Sequence, residues 1–214
     1  MATGLGLRER KKREIRDRLA HLATVLFIER GFDDVTIAEI ADAAKVSKMT
    51  VTNYFPLKED LVFDAHSLVA ESLAAAARER RPGESVLAGL HRAFLEALGG
   101  RYPVLTGHAS AGFARLVHNT PRLRAREREI DEQREGALAA YLAGEAGPAA
   151  EHLAAALASA QLAAAHRVLF RLVRSWARDD VATAEIDRRA AAAAEVAFGA
   201  LAPVLGNYLI RPPA

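Results

Sequence analysis

The sequence predicts an all-α protein of about nine helices, on three observations. Ala, Leu, Arg and Glu, all strong helix formers, dominate the 214 residues. Apolar residues return at intervals of three and four, with little of the strict alternation that marks a strand. Gly and Pro fall between the periodic stretches.

Each element has a local reason. The first helix is expected over about Leu7 to Arg30, with Ile15, Leu19, Leu22 and Leu26 on one stripe and Gly31 in the stop position. Thr36 and Glu39 have the spacing of a capping box, so a second, short helix starts there and runs to about Ala43. Ser47 is a further N-cap only a few residues on, which makes 44–46 a tight turn and 48–54 a third helix. Pro56 closes that helix, and a long one is expected from Leu57 to about Arg80. Breaks at 81–83, 99–103, 119–121, 144–148 and 179–180 divide the remainder into about five more. The last two, Ala149 to about Arg178 and Ala182 to about Ile210, are long and alanine-rich, as helices that approach others closely are.

Composition excludes several classes. There is no cysteine, which removes disulfides, thiolate metal ligands and thiol nucleophiles, and suits a reducing cytoplasm. The stretch from Met1 to Leu7 lacks the apolar segment of a signal peptide, and no apolar run reads as a bilayer span, so neither export nor a membrane partner is expected. The net charge is +2, too small to argue for nucleic acid from the total. Its placement is more telling: residues 1–20 hold seven basic and three acidic side chains.

The stretch from Thr36 to Phe55 has the form of a helix-turn-helix. Ala41 is small where two helices would cross, Ile37, Ile40, Val46 and Val51 form a mini-core, and Ser47 caps a helix whose outer face is short and polar. The major groove of B-DNA admits one α-helix, so base readers are expected among Lys48, Met49, Thr50, Thr52 and Asn53. With the first helix, the Thr-x-x-x-Ile-Ala and Val-Ser pairs, and Asn53 to Leu61, the block from about Arg10 to Phe63 resembles the DNA-binding domain of TetR-type repressors. Lys45 departs from the pattern where glycine is frequent in the turn, and Thr52 where an aromatic is frequent.

The resemblance implies phosphate contacts from Thr36, Ser47, Tyr54 and Lys58, groups suited to phosphate oxygens. It also implies a transcriptional repressor that is a homodimer, with residues 1–56 binding operator DNA and 57–214 dimerising and holding a small-molecule effector of unknown identity. Half-sites about one turn (~34 Å) apart would make the spacing of the two reading heads decisive. Helix pair 149–178 and 182–210, with Leu153, Leu157, Val168, Leu172, Val196, Leu201 and Val204, is the expected dimer seam. Two alternatives stay open: a dimeric DNA-binding protein without effector, and a helical interaction module with a vestigial motif.

Other candidates are weighed against plainer readings. Arg8, Arg10 and Lys12 suit a phosphate-tracking arm or a solvated one. His66, His91, His108, His118 and His166 lack metal spacing, and no nucleophile elbow or phosphate loop occurs, so no metal, cofactor or enzyme activity is expected. Arg115, Arg122, Arg124, Arg126 and Arg128 suit an anionic effector, or, better, pairing with the acidic residues beside them. Tyr102, Phe113, Tyr141, Phe170 and Trp176 suit a pocket wall or plain core.

Overall fold

The computed structural model describes residues 6–101, 103–147 and 152–213. Tyr102, the Arg8 side chain and the start of the penultimate helix at Ala149 lie outside the described residues. Every regular element among those described is helical: α1 Leu7–Arg30, α2 Ile37–Ala44, α3 Lys48–Tyr54, α4 His66–Arg78, α5 Val86–Glu96, α6 Pro103–Thr106, α7 Ala111–Asn119, α8 Pro121–Ala146, α9 His152–Arg178 and α10 Thr183–Leu205. A 3₁₀ turn covers Lys58–Leu61 and a π-type turn Ala97–Arg101. The described helices thus number ten, one more than expected. In the π-type turn Gly100 has φ 95°, a left-handed backbone that glycine adopts without a Cβ clash.

Three details differ from the sequence expectation. The long helix from Leu57 to Arg80 is broken: a 3₁₀ turn and a bend precede α4, because Glu59 and Asp60 turn inward to meet arginines from far along the chain. On α1 the buried stripe is Leu19, Ala20, Ala23 and Phe27, while Ile15, Leu22 and Leu26 are half-buried flanks. By length and composition, α9 is apolar enough to cross a bilayer. It packs along α10 and buries 44% of its most apolar window, so its hydropathy is that of a core helix with one uncovered face.

The chain forms two compact units. One comprises residues up to His66 together with Arg115–Arg126. Its core is built on Leu19, Phe27, Val35, Ile40, Val51 and Phe55, all essentially inaccessible, with the Phe27 and Phe32 rings 4.9 Å apart. Arg122 reaches Glu59 at 2.8 Å, and Arg126 grips Asp60 through Nε at 3.0 Å and Nη2 at 2.8 Å. These carboxylates are buried, so the arginines supply the charge they need. The expected self-pairing of this arginine run is therefore replaced, at Arg122 and Arg126, by long-range pairs.

The other unit comprises Ser67–Ala114 and the chain from Glu127 onward. Leu73, Leu90, Phe94, Leu138, Leu162 and Phe198 are at the centre of its core. Arg80 is buried here: it donates to the Ala77 carbonyl and pairs with Glu145, and its stem lies against Gly89, where a Cβ would come within 2.6 Å of it. After α10 the chain turns back, and Arg211 exchanges backbone hydrogen bonds with Gly83 and Glu84. Pro203 lies inside α10 at an exposed position, contrary to the expectation that prolines fall between helices.

Candidate nucleic-acid interface

Two caps set the geometry of α2 and α3. The Thr36 hydroxyl accepts from the Glu39 amide at 3.2 Å and donates to the Glu39 carboxylate, which in turn accepts from the Thr36 amide at 2.8 Å. That backbone hydrogen bond, with Arg30 at 2.5 Å, holds the Glu39 carboxyl down at about 2. Lys45 ends α2 in the left-handed conformation, φ 56° and ψ 45°, and its amide donates to Ala41 and Asp42. Ser47 Oγ then accepts from the Thr50 amide at 3.1 Å and starts α3.

One face of α3 is anchored by Val51, which is fully buried, and the chain end by Phe55. The opposite face carries Lys48, Met49, Thr52 and Asn53, all exposed, with Met49 at 71%. Thr50 is half-buried and its hydroxyl lies 2.8 Å from that of Ser47. The Thr52 hydroxyl folds back to donate to the Met49 carbonyl at 3.1 Å, leaving its methyl group as the more accessible surface. Tyr54 is half-buried, and its carbonyl accepts from Arg16, whose guanidinium also donates to the Asp64 carbonyl at 2.7 Å and lies over the Phe55 ring.

Lys58 is placed differently from a solvent-facing cation. Its ammonium donates to the Phe32 carbonyl and lies 4.5 Å from the Phe32 ring centre. Burial pulls its pKa below the usual lysine range. Arg10 and Lys12 are exposed, as are their neighbours Lys11 and Arg13. Arg16 was not singled out by sequence reasoning; its i, i+3 relation to the buried Leu19 was the available signal.

The second unit contains a buried polar group of another kind. Arg134 is 1% exposed, donates through Nη2 to Asp131 at 2.5 Å, and has no hydrogen-bond partner for Nε or Nη1. His166 is 5% exposed with Nδ1 likewise without a partner, and burial, then the Arg134 charge, pushes its imidazole well below its ordinary range. Both flank Phe170, with the Arg134 guanidinium 5.6 Å and the His166 ring 6.5 Å from it. Arg174 lies over Phe113 and Phe170 and donates to the Gly107 carbonyl at 3.0 Å. Of the expected pocket aromatics, Phe113 and Phe170 gather here, whereas Tyr141 meets Arg78 and Trp176 meets Arg189. His166 also walls a cavity of about 30 Å³, whose other lining residues are apolar except for Ser72, with Leu73, Leu90, Phe94 and Leu105 among them.

Three of the other histidines have packing or hydrogen-bonding partners within the fold: His91 stacks on Phe198, His108 lies between Thr106 and Asp187, and His66 is bonded to the Phe63 carbonyl. Among the described residues no three His, Asp or Glu side chains are grouped as metal ligands would be.

Residues 19–65, which span the helix-turn-helix, match the model of the bacterial regulatory proteins of the tetR family. The chain is 34% identical over 148 residues to the HTH-type transcriptional regulator TcmR of Streptomyces glaucescens, a match covering 67% of this chain and just under two thirds of that one. NalD of Pseudomonas aeruginosa, the secondary repressor of the MexAB-OprM multidrug efflux pump, has the same fold, with a TM-score of 0.57 at 22% identity over 87% of this chain and 96% of NalD. So does the fatty acid degradation regulator FadR of Bacillus halodurans, with a TM-score of 0.55 at 18% identity over 87% of this chain and 96% of FadR. With the capped α2–turn–α3 unit, a matching family model and a relative at this identity, the chain belongs to the TetR family of transcriptional regulators.

Proposed function

We propose that the chain is a cytoplasmic, dimeric repressor that sits on operator DNA at the nucleoid through α3 and leaves it when a small molecule occupies the unit built from α4, α5, α6 and α9. One observation carries the DNA-binding part: α3 is capped at its start, pinned by Val51 on one side, and presents Lys48, Met49, Thr52 and Asn53 on the other. The relatives named as regulators and repressors support the direction of control.

In this reading Thr50, Thr52 and Asn53 face base edges, the Thr52 methyl suiting a thymine methyl, and Met49 adds apolar contact. Thr36, Ser47, Lys48 and Tyr54 meet phosphates, with the helix N-termini they begin or flank. Lys58 adds its charge to that rim while tying the loop between α1 and α2 to the turn after α3. Dimerisation uses α9 and α10, whose outer faces expose Leu153, Leu157, Val168, Val196 and Val204 at 54–74%. The cavity beside His166 is large enough for one or two water molecules, so an organic effector has to open it.

A gel shift with DNA from upstream of the chain's own gene tests the reading. Salt-sensitive, sequence-selective binding is expected, with Thr50→Ala or Asn53→Ala changing the preferred sequence and Lys48→Ala weakening all sequences about equally. Binding without sequence preference, or none, refutes it.

A further inference from the structure

The second unit carries a groove of about 760 Å³ that shares no lining residue with the cavity beside His166. It is formed by the end of α4 with the turn after it, by Tyr141 and Glu145 of α8, and by the returning chain from Arg211 to Pro213. That chain is fixed in place: the Gly83 amide donates to the Arg211 carbonyl and the Arg211 amide to the Glu84 carbonyl, both at 2.9 Å. Four arginines line the groove against two glutamates. Arg80 is 2% exposed and pairs with Glu145, a carboxylate that also takes the Tyr141 hydroxyl, and Arg81 is met from outside the groove by Glu96 at 3.2 Å.

Arg78 and Arg211 meet no carboxylate among the described residues. The Arg78 guanidinium lies 5.2 Å from the Tyr141 ring centre, and that of Arg211 donates through Nη1 to the Arg78 and Arg80 carbonyls at 2.8 and 2.6 Å. Glu79, the other acid of the lining, is exposed and pairs with neither. A ring face and two carbonyls orient a guanidinium without neutralising it, and they leave its other N–H groups for a ligand. Arg80 adds a buried Nε that has no partner. Two such forks suit a group with three terminal oxygens, and Tyr141, Pro82, Pro212 and Pro213 give the body of the ligand flat, apolar contact. The volume is that of a site for an organic molecule, more than a bare ion needs. We propose that this groove binds an organic phosphate monoester of about nucleotide size, its phosphate held by Arg78 and Arg211. The site stands apart from the effector reading above.

The probe pair is AMP and adenosine, which share base and sugar and differ in the phosphate. Calorimetric titration of the full chain in low salt, where exposed cations are least screened, is expected to show AMP binding at least about tenfold tighter, the scale of a charge-assisted hydrogen bond. In Arg78→Gln the ratio is expected to fall to about one; the position is exposed, so the variant keeps its fold. Arg81→Gln makes the same charge change in the same groove and should keep most of the preference, because Arg81 is already engaged by Glu96. The proposal is overturned if adenosine binds as tightly as AMP, if neither binds, or if the preference survives Arg78→Gln. Equal loss in Arg81→Gln also overturns it, since that outcome marks diffuse charge attraction in place of a site.

Discussion

If α9 and α10 form the proposed dimer seam, replacing Val196 with glutamate should abolish self-association. Val196 is 74% exposed on α10, so most of its transfer free energy is still available to a partner, about 1 kcal/mol per copy. A two-fold seam uses the position twice, which makes the lost apolar contribution about 2 kcal/mol. A carboxylate in the same place also has to be stripped of water without a cation, at a further cost of several kcal/mol per ion even after relaxation. Together these weaken self-association by at least about a thousandfold, roughly 4 kcal/mol. Sedimentation velocity over a dilution series reads this directly, with Ile28→Glu as the control, since Ile28 is 40% exposed on α1 in the other unit. A Val196→Glu protein that sediments as the wild-type dimer at every dilution would show that the apolar face of α9 and α10 is covered in some other way.

Three further outcomes are expected. Ser47→Ala removes the acceptor of the Thr50 amide and should cost about 1 kcal/mol, lowering the melting temperature by roughly 2–4 °C for a chain of this size and speeding amide exchange at Thr50 and Val51. Arg126→Gln leaves the buried Asp60 without its two-pronged partner and should destabilise by about 3 kcal/mol in denaturant unfolding; adding Asp60→Asn should recover a large part, and strict additivity of the two would refute the pairing. The Glu39 carboxyl, held at about 2 in the folded chain against 4.5 when free, contributes stability above pH 4.5 that is lost as pH falls toward 2. Glu39→Gln keeps the capping geometry and should flatten unfolding stability over that range, an effect absent if the box does not form.

What was legible in the sequence was what is decided locally. The ends of α1, the capping box at Thr36 and the cap at Ser47 each depend on residues within one turn, and each is found where the spacing puts it. The break between Lys58 and α4 was not legible, because it is driven by Arg122 and Arg126, the latter 66 residues from Asp60. The buried face of α1 was misjudged for a related reason: Ala20 and Ala23 are chosen by how closely α1 is approached, which periodicity alone does not reveal. The same holds for Arg134. In a stretch as charged as 122–135 it reads as surface, and only the packing around Phe170 places it inside.

The contact between Gly89 and the Arg80 stem has an evolutionary corollary. Any side chain at position 89 would push out a guanidinium that holds a carbonyl and a carboxylate, so these two sites can drift only in step. A lineage that shortens residue 80 first opens a void that alanine at 89 then fills, whereas the reverse order passes through an intermediate with a displaced cation. In aligned descendants the pair should therefore covary, and in one order of replacement.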